Sequence, residues 1–517
     1  MFDNYIDYVA FQATMRPSSL FGSDGQQSLS YEEAWARTGR IAAALQRDGI
    51  AQGDRVAILC KNSLDNLLVF LGCARAGVVP VGINYRLTVD EVGFIAEDAG
   101  SKALFVDGEF APLVGAYLAG KPQISVVGEL DAATPLNDWL GDAQQPAEVV
   151  IRGDDVLFQM YTSGTTGLPK GTLLTHRNVI CNSIQAPLTT GRPPRAGDRT
   201  LIIAPTFHAL GLVGALMAIY YGSTMIIHRD YDPVGMIETM RDDNINYLSV
   251  VPVMLQFSLA CVPDIDQYSF PNLNWMNYGA SPISVDLLKR CLEVFDCELY
   301  QGYGQTESTT ALTFLTHADH MRALKDKPEL LRSCGRAVFG TQLRIVDEQG
   351  RDLPTGEVGE ILAKGAQVMK GYWNREEATA KTVVDGWLHT GDAGYLDEEG
   401  YLFIKDRVKD LVISGGENIY PAEIENVLMA HPDIADAAVI GVPDEQWGEV
   451  PLAVLVAGDS GEISLEAMTE HCRVSLAGFK VPKHLRYVDM LPRNPSGKIL
   501  KKELRAAIVP EFDPQQA

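Results

Sequence analysis

Apolar positions in the first part of the chain follow two alternating rhythms. "YEEAWARTGRIAAALQRDG", residues 31–49, repeats with helical spacing and stops at a glycine. "DRVAILC" follows as a short apolar strand, then "LDNLLVFLGCARAG" as a second helix and "VVPVGI" as an extended run. The same alternation returns between residues 201 and 251, and it predicts α/β layers. After Gly335 the pattern changes. "TQLRIVDEQGRDLPTGEVGEILAKG" predicts short strands joined by turns at "EQG" and "PTG", and "GYLDEEGYLFIKDR" predicts a hairpin. From about Leu411 a smaller α+β unit is expected. "YPAEIENVLMAHP" and "SLEAMTEHCRVSLAG" read as its helices, and "IADAAVIGVPD" and "PLAVLVAG" as its strands. The boundary between large and small parts falls in "KDRVKD", giving residues 1–407, a hinge at 408–410, and residues 411–517.

One stretch imitates a membrane span, because residues 200–227 hold no Asp, Glu, Lys or Arg. Pro205, His208 and "YGST" interrupt it, so it reads as a strand at "LIIA", a buried helix near "GLVGALMAIYY" and a strand at "TMII".

Composition narrows the class. A chain of 517 residues exceeds one ordinary core, and 46% hydrophobic with 21% charged residues suits a soluble globular protein. A net charge of −24 argues against a duplex nucleic-acid binder, whose ligand would be repelled. The eight cysteines are scattered without a C-x-x-C pair, which suggests buried thiols in a reducing compartment. "MFDNYIDYVA" lacks the basic flank of a signal peptide, so a cytoplasmic location is expected.

The candidate chemistry starts at "YTSGTTGLPKG", residues 161–171. Glycines let backbone N–H groups point at phosphate oxygens, and Thr162, Ser163, Thr165 and Thr166 add hydroxyl donors. It is not a Walker loop. Gly164 and Gly167 stand too close together, Pro169 precedes Lys170, and "GTLLTH" reads as extended rather than helical.

Five further motifs follow in order: "NYGAS" (277–281), "QGYGQTE" (301–307), "HTGD" (389–392), "KDRVKDLVISGGENIYPAEIE" (405–425) and "PRNPSGKILKKELR" (492–505). With the glycine loop they resemble the adenylate-forming superfamily of acyl-CoA synthetases, luciferases and nonribosomal peptide adenylation domains, over nearly the whole chain. "SGGENIYPAEIE" and "VIGVPDEQWGE" resemble its fatty-acyl-CoA synthetase branch.

The resemblance implies an α/β fold. A large multi-layer N-terminal adenylation domain carries a β-barrel-like subdomain, and a small mobile α+β C-terminal domain follows. It also implies ATP, Mg2+ and coenzyme A as cofactors and a carboxylic acid as substrate. Thr162, Ser163, Gly164, Thr165, Thr166, Gly167 and Lys170 would hold the phosphates, and Thr162 and Glu307 the metal. Thr306 would bond the α-phosphate, and Tyr303 would stack on adenine against Gly279 and Ala280, with Ser281, Gln301 and Gly302 completing the nucleotide site. Asp392 would take the ribose hydroxyls and Arg407 the ribose or phosphate. Lys498 would be the catalytic cation of adenylation, and Lys409 the pivot of the small domain. His208 either gates the acid pocket or is a buried structural histidine. The pocket itself would run past Ala209, Gly211, Val251, Pro252, Met254, Tyr278, Thr310 and Leu312.

The implied reaction makes an acyl-adenylate and then a CoA thioester of a fatty or other apolar acid. An aryl, branched or steroid-side-chain acid, or transfer to an acyl carrier protein, stays open. "FHALG" carries no Asp to meet an amino group, which disfavours amino acids. Ile413 and Asn418 stand where some long-chain synthetases have Lys and Trp. No nucleic-acid partner is expected; a monomer or homodimer, and peripheral membrane contact, are compatible with the sequence.

Overall fold

The structure is a computed structural model. It describes residues 2–110, 112–114, 125–128, 134–143, 145–162, 168–279, 283–407, 410–414, 417–444, 446–458, 461–493 and 499–512. The chain divides into two compact units: residues 1–343, 363–389 and 400–402, and residues 344–362, 390–399 and 403–517.

The first unit is built on two sheets with parallel centres. In one, Glu298–Tyr303, Trp275–Gly279, Tyr247–Val250, Arg199–Ile202 and Thr224–Ile227 lie side by side in that order, all parallel. In the other, Val156–Thr162, Val79–Gly82, Arg55–Leu59 and Ser101–Val106 do the same. Strands such as "RVAIL" are apolar almost throughout because helices cover both faces of such sheets. The two rhythms of the sequence appear as expected. Tyr31–Arg47 starts at a capping box between Ser30 and Glu33, and Leu64–Arg75 starts at Ser63. The two helices pack so closely that a methyl on Gly72 would stand 2.4 Å from Ile41 Cγ2.

The uncharged stretch resolves into strand Arg199–Ile202, helix Ala209–Tyr221 and strand Thr224–Ile227. Among the described residues no helix is long and apolar enough to cross a membrane.

Leu402–Arg407 pairs with Trp387–Leu396 after a turn at Gly400 (φ +78°), the hairpin that "GYLDEEGYLFIKDR" predicts. Gly359–Lys364 lies on the other side of Trp387–Leu396. A further sheet pairs Ile434–Asp444 with Gly448–Ala457 and adds Val412–Ser414 and His484–Tyr487 to the latter. Its faces alternate with period two. Ala437 and Val439 pack under the helices Pro421–Leu428 and Leu465–Arg473, while Ala438, Ile440 and Val442 pack under Lys501–Ile508.

Three histidines of the first unit are kept neutral. Burial lowers His176, His208 and His320 to about 4. For His320 the bonding agrees: Nδ1 lies 2.8 Å from the Thr316 carbonyl and so donates, and Nε2 accepts from the Tyr278 hydroxyl at 2.7 Å. In the unfolded chain each imidazole takes up a proton near pH 6.5. The unfolded state therefore binds more protons between pH 6.5 and about 4, and stability falls as pH is lowered through that window. By pH 5 the expected loss is about 1–2 kcal/mol per histidine. Urea midpoints at pH 7, 6 and 5 measure it, and His320→Gln should flatten the slope. Midpoints independent of pH over this range would contradict it.

Candidate active site

The glycine-rich loop joins two antiparallel strands, Val156–Thr162 and Lys170–Thr175, so that Thr162 stands opposite Lys170. The extended stretch after Lys170 separates this loop from a Walker loop, which runs into a helix. Ser163, Gly164, Thr165, Thr166 and Gly167 lie outside the described residues.

The short strand Gly371–Tyr372 pairs with the second strand of this hairpin, Tyr372 opposite Thr172, and the Trp373 N–H donates to the Gly171 carbonyl at 2.8 Å. This places the Tyr372 ring 5.0 Å from Lys170 Nζ, and its hydroxyl donates to Glu307 Oε1 at 2.8 Å. Thr162 donates to the same oxygen at 3.3 Å. Glu307 is buried, yet among the described residues Oε2 has no hydrogen bond.

A strained turn holds that carboxylate. Thr306–Ser308 is a single helical turn capped by Gln305, and Thr309 after it has φ 66°, ψ −63°. The Thr310 N–H donates back to the Ser308 carbonyl at 2.8 Å, making a γ-turn that a β-branched residue adopts only when its surroundings enforce it. They do: Thr309 Oγ1 donates to the Gln367 carbonyl at 2.8 Å, and the Met369 N–H donates to the Glu307 carbonyl at 2.8 Å. Gly304 admits no side chain, since a Cβ there would stand 1.8 Å from the Thr310 carbonyl oxygen.

The other nucleotide candidates sit at the carboxyl ends of the parallel strands, where ligands of open α/β sheets bind. Gly279 ends its strand and stands in register with Gly302 on the neighbouring strand, which ends one residue later at Tyr303 and carries Gln301 before it. A Cβ on Gly279 would meet the Gly302 carbonyl at 2.6 Å, so the wall there is bare backbone. Ala280 and Ser281 lie outside the described residues.

His208 caps the helix Ala209–Tyr221, its ring 4.4 Å from that of Phe207. Its Nε2 is shielded from water and has no hydrogen bond among the described residues. The loop before it is pinned from far away. Thr206 donates its N–H and hydroxyl to Asn62 Oδ1 at 2.9 and 3.1 Å, Asn62 Nδ2 donates to the Ala204 carbonyl at 3.0 Å, and Asn66 Nδ2 donates to Thr206 Oγ1 at 3.0 Å.

Beside this helix lies a small cavity of about 10 Å3, room for about one water, between Ala209–Tyr221 and the strands Arg199–Ile202 and Tyr247–Val250. Of the expected acid-pocket residues, Gly211 lines it. Ala209 begins the helix, and Val251 and Pro252 begin the helix Pro252–Cys261, which also carries Met254. Thr310 donates to Asn182 Oδ1 at 2.6 Å, and Leu312 is fully buried. Tyr278 stands apart from the expectation. Its side chain shares a strand face with Met276, is buried in the core behind the sheet, and bonds His320.

In the second unit Asp392 is buried, its N–H donating to Thr390 Oγ1 at 3.1 Å. The Arg407 side chain, Lys409 and Lys498 lie outside the described residues. The flanks of Lys498 are fixed: Arg493 pairs with Ile499, the Leu500 N–H donates to the Pro492 carbonyl at 2.8 Å, and Lys501 pairs with the half-buried Glu425 at 2.8 Å.

Among the described residues no group of three or more His, Cys, Asp or Glu is placed to hold a metal. A magnesium ion does not require one, because it uses one or two carboxylates and completes its shell with waters and substrate phosphates. The open Oε2 of Glu307 beside Thr162 fits that demand.

Comparison with known proteins gives the family. The family model described as AMP-binding enzyme matches residues 5–373, and the AMP-binding enzyme C-terminal domain matches residues 423–498. The chain is 40% identical over 503 residues to a fatty acid–[acyl-carrier-protein] ligase of Streptomyces coeruleorubidus, covering 97% of this chain and 95% of that protein. It is 39% identical to a feruloyl-CoA synthase of an Amycolatopsis species, covering 96% and 97%. The solved structure of o-succinylbenzoate CoA synthetase from Bacillus subtilis with its acyl-adenylate intermediate superposes with a TM-score of 0.86, at 31% identity and 98% coverage of both chains. The chain belongs to the AMP-binding enzyme family, within the adenylate-forming superfamily, and is an AMP-forming acid–thiol ligase.

Proposed function

We propose that the protein activates an apolar carboxylic acid, fatty or aryl, with ATP and Mg2+, and passes the acyl group to coenzyme A. A carboxylate is a poor acyl donor because its leaving group would be oxide. Attack of a carboxylate oxygen on the α-phosphorus breaks the bond to the β-phosphate, releases pyrophosphate and leaves an acyl-adenylate. The coenzyme A thiol then attacks the acyl carbon, gives up its proton, and AMP departs.

Negative charge crowds at phosphorus in the first step, so fixed donors and cations carry the catalysis. The glycine hairpin with Lys170 takes the β and γ phosphates, Thr306 the α-phosphate, and Lys498 the charge developing between acid and α-phosphate. Tyr303 and the bare wall at Gly279 take adenine, and Asp392 the ribose. Neutral His208 meets the acid's carboxylate end without a competing charge. Glu307 and Thr162 hold the metal, which neutralises the leaving phosphates when bound. The observation that supports this reading most is the open Glu307 oxygen at the mouth of the glycine hairpin. A pyrophosphate-release screen over acids of varied length and shape tests it, and release with amino acids alone would sink it.

Two substitutions separate the parts of that contact. Glu307→Gln should lower adenylate formation about 10²–10³-fold even at saturating Mg2+, the scale of losing one preorganised electrostatic contact. Tyr372→Phe removes a hydrogen bond to a charged group, worth about 1.5 kcal/mol or roughly tenfold. It should raise the half-saturating Mg2+ concentration by that factor and leave the saturated rate nearly intact. An unchanged Mg2+ requirement in Tyr372→Phe would contradict this role.

A second reading concerns the acceptor. The relative that is 40% identical over nearly the whole chain is named as a ligase to an acyl carrier protein. The pantetheine thiol of a carrier protein would serve the same second step. Competing coenzyme A against a phosphopantetheinylated carrier protein in one assay decides between them.

A further inference from the structure

We propose that Asp98 is a positioning residue for the glycine hairpin, clamping both of its strands at their base so that Thr162 and Lys170 stand where the leaving phosphates need them. The inference rests on the adenylating reading of the site and deepens it. Asp98 is the last residue of the helix Val89–Asp98. An acid is a poor choice there, because the carbonyl end of a helix dipole repels negative charge. The contacts that hold it lie outside the helix. The Tyr161 hydroxyl donates to Asp98 Oδ2 at 2.7 Å, Arg375 pairs with Oδ1, and Trp373 Nε1 donates to the Asp98 carbonyl at 3.0 Å. The Asp98 side chain is 11% exposed, so its charge is largely shielded from water and depends on these partners.

Two of these partners lead to different strands of the hairpin. Tyr161 immediately precedes Thr162 on the first strand. Trp373 donates its backbone N–H to the carbonyl of Gly171, which immediately follows Lys170 on the second. The Trp373 ring is backed in turn by Arg55, whose guanidinium carbon lies 3.3 Å from the ring centre, so the clamp is tied to strand Arg55–Leu59 of the sheet. Tyr161 and Gly171 stand opposite each other, and a Cβ on Gly171 would come within 2.3 Å of Gln159 Nε2 and 3.1 Å of Tyr161 Cζ. The tyrosine is thus held against bare backbone, and Gln159 Nε2 donates to its hydroxyl at 3.2 Å. Burial and the adjacent Asp98 carboxylate push that hydroxyl well above its ordinary range, so it stays a donor. Thr162 and Lys170 face each other one residue beyond the clamp. A shift at the base therefore carries directly to them, and misplacing a catalytic group by about 1 Å costs about 10²-fold in rate. The hairpin's phosphates leave as pyrophosphate before the thiol attacks, so the clamp serves the first half-reaction alone.

The test measures the two half-reactions separately, pyrophosphate release with an accepted acid for the first and thioester formation from chemically made acyl-adenylate for the second. Asp98→Asn is expected to lower kcat/KM for ATP in the first about 10²-fold, while the KM for the acid and the whole second half-reaction stay unchanged. Tyr161→Phe removes only the hydroxyl and should cost about tenfold in the same quantity. The double variant should be no worse than Asp98→Asn alone, because both changes break one network. Arg375→Lys, which keeps the charge, should retain more of the first half-reaction than Arg375→Leu. Parallel loss of both half-reactions marks a merely structural residue and overturns the inference, as does an unchanged first half-reaction or a double variant whose losses multiply. Where Asp98→Asn fails to fold, Tyr161→Phe decides by the same criteria. No acid-dependent pyrophosphate release from the wild-type protein overturns the adenylating reading and this inference with it.

Discussion

Replacing Lys498 by alanine is expected to abolish adenylate formation while leaving ATP binding and the thioester step nearly intact. A single cation facing charge that develops only as the carboxylate attacks stabilises the transition state more than the ground state. The loss then falls on kcat of the first step, about 10²–10³-fold or more. The described residues on either side of Lys498 are tied down. Pairing of Arg493 with Ile499 closes the loop at its base, and the Lys501–Glu425 ion pair ties the following helix to Pro421–Leu428. Burial raises the Glu425 carboxyl, and Lys501 offsets it, so this pair is an internal strut rather than a surface contact. Single-turnover pyrophosphate release measures the first step. Thioester formation from chemically made acyl-adenylate measures the second. Equal loss of both would contradict the role.

Lys409→Pro is expected to uncouple the two half-reactions in the opposite direction. In the proposed mechanism one site serves two reactions: the first would need Lys498 inside, and the second would need it gone so that a thiol can approach. Rotation of the small domain about one backbone position meets both needs, and we place that position at 408–410, just after strand Leu402–Arg407. Asp410, at the end of that stretch, is anchored to the helix Lys501–Ile508 by Arg505 at 2.9 Å. A pivot must change φ and ψ, whereas proline fixes φ near −65°. Acyl-adenylate should still form in Lys409→Pro, and coenzyme A-dependent turnover should fall by about 10²-fold or more, as for a lost conformational step. Lys409→Ala, which keeps φ free, should retain both. If both half-reactions fall together in Lys409→Pro, or neither does, the pivot lies elsewhere.

What the sequence made legible follows from the range of the forces involved. The helices Tyr31–Arg47 and Leu64–Arg75 and the strand between them are local matters of period, cap and glycine stop, and they appear where the pattern predicts. The extended stretch after Lys170 was likewise readable, since proline and β-branched residues forbid the helix of a Walker loop there. Long-range partners were not. Tyr372 meets Glu307 across 65 positions, and Asn62 meets Thr206 across 144, and neither carries a local signal of its partner. The strain at Thr309 was also hidden, because threonine is a poor choice for positive φ and nothing in "TESTT" announces it. Tyr278 shows the reverse case. Period two along Trp275–Gly279 puts it with Met276 on the core face, a reading that motif position alone obscured.

The most direct measurement of the central claim is isotope transfer. An accepted acid carrying 18O in both carboxylate oxygens is turned over with ATP, Mg2+ and coenzyme A, and the phosphorus products are separated. Attack of the carboxylate on the α-phosphorus puts one 18O into the phosphate of AMP and none into pyrophosphate. Label in pyrophosphate or inorganic phosphate, or ADP as the nucleotide product, would contradict it.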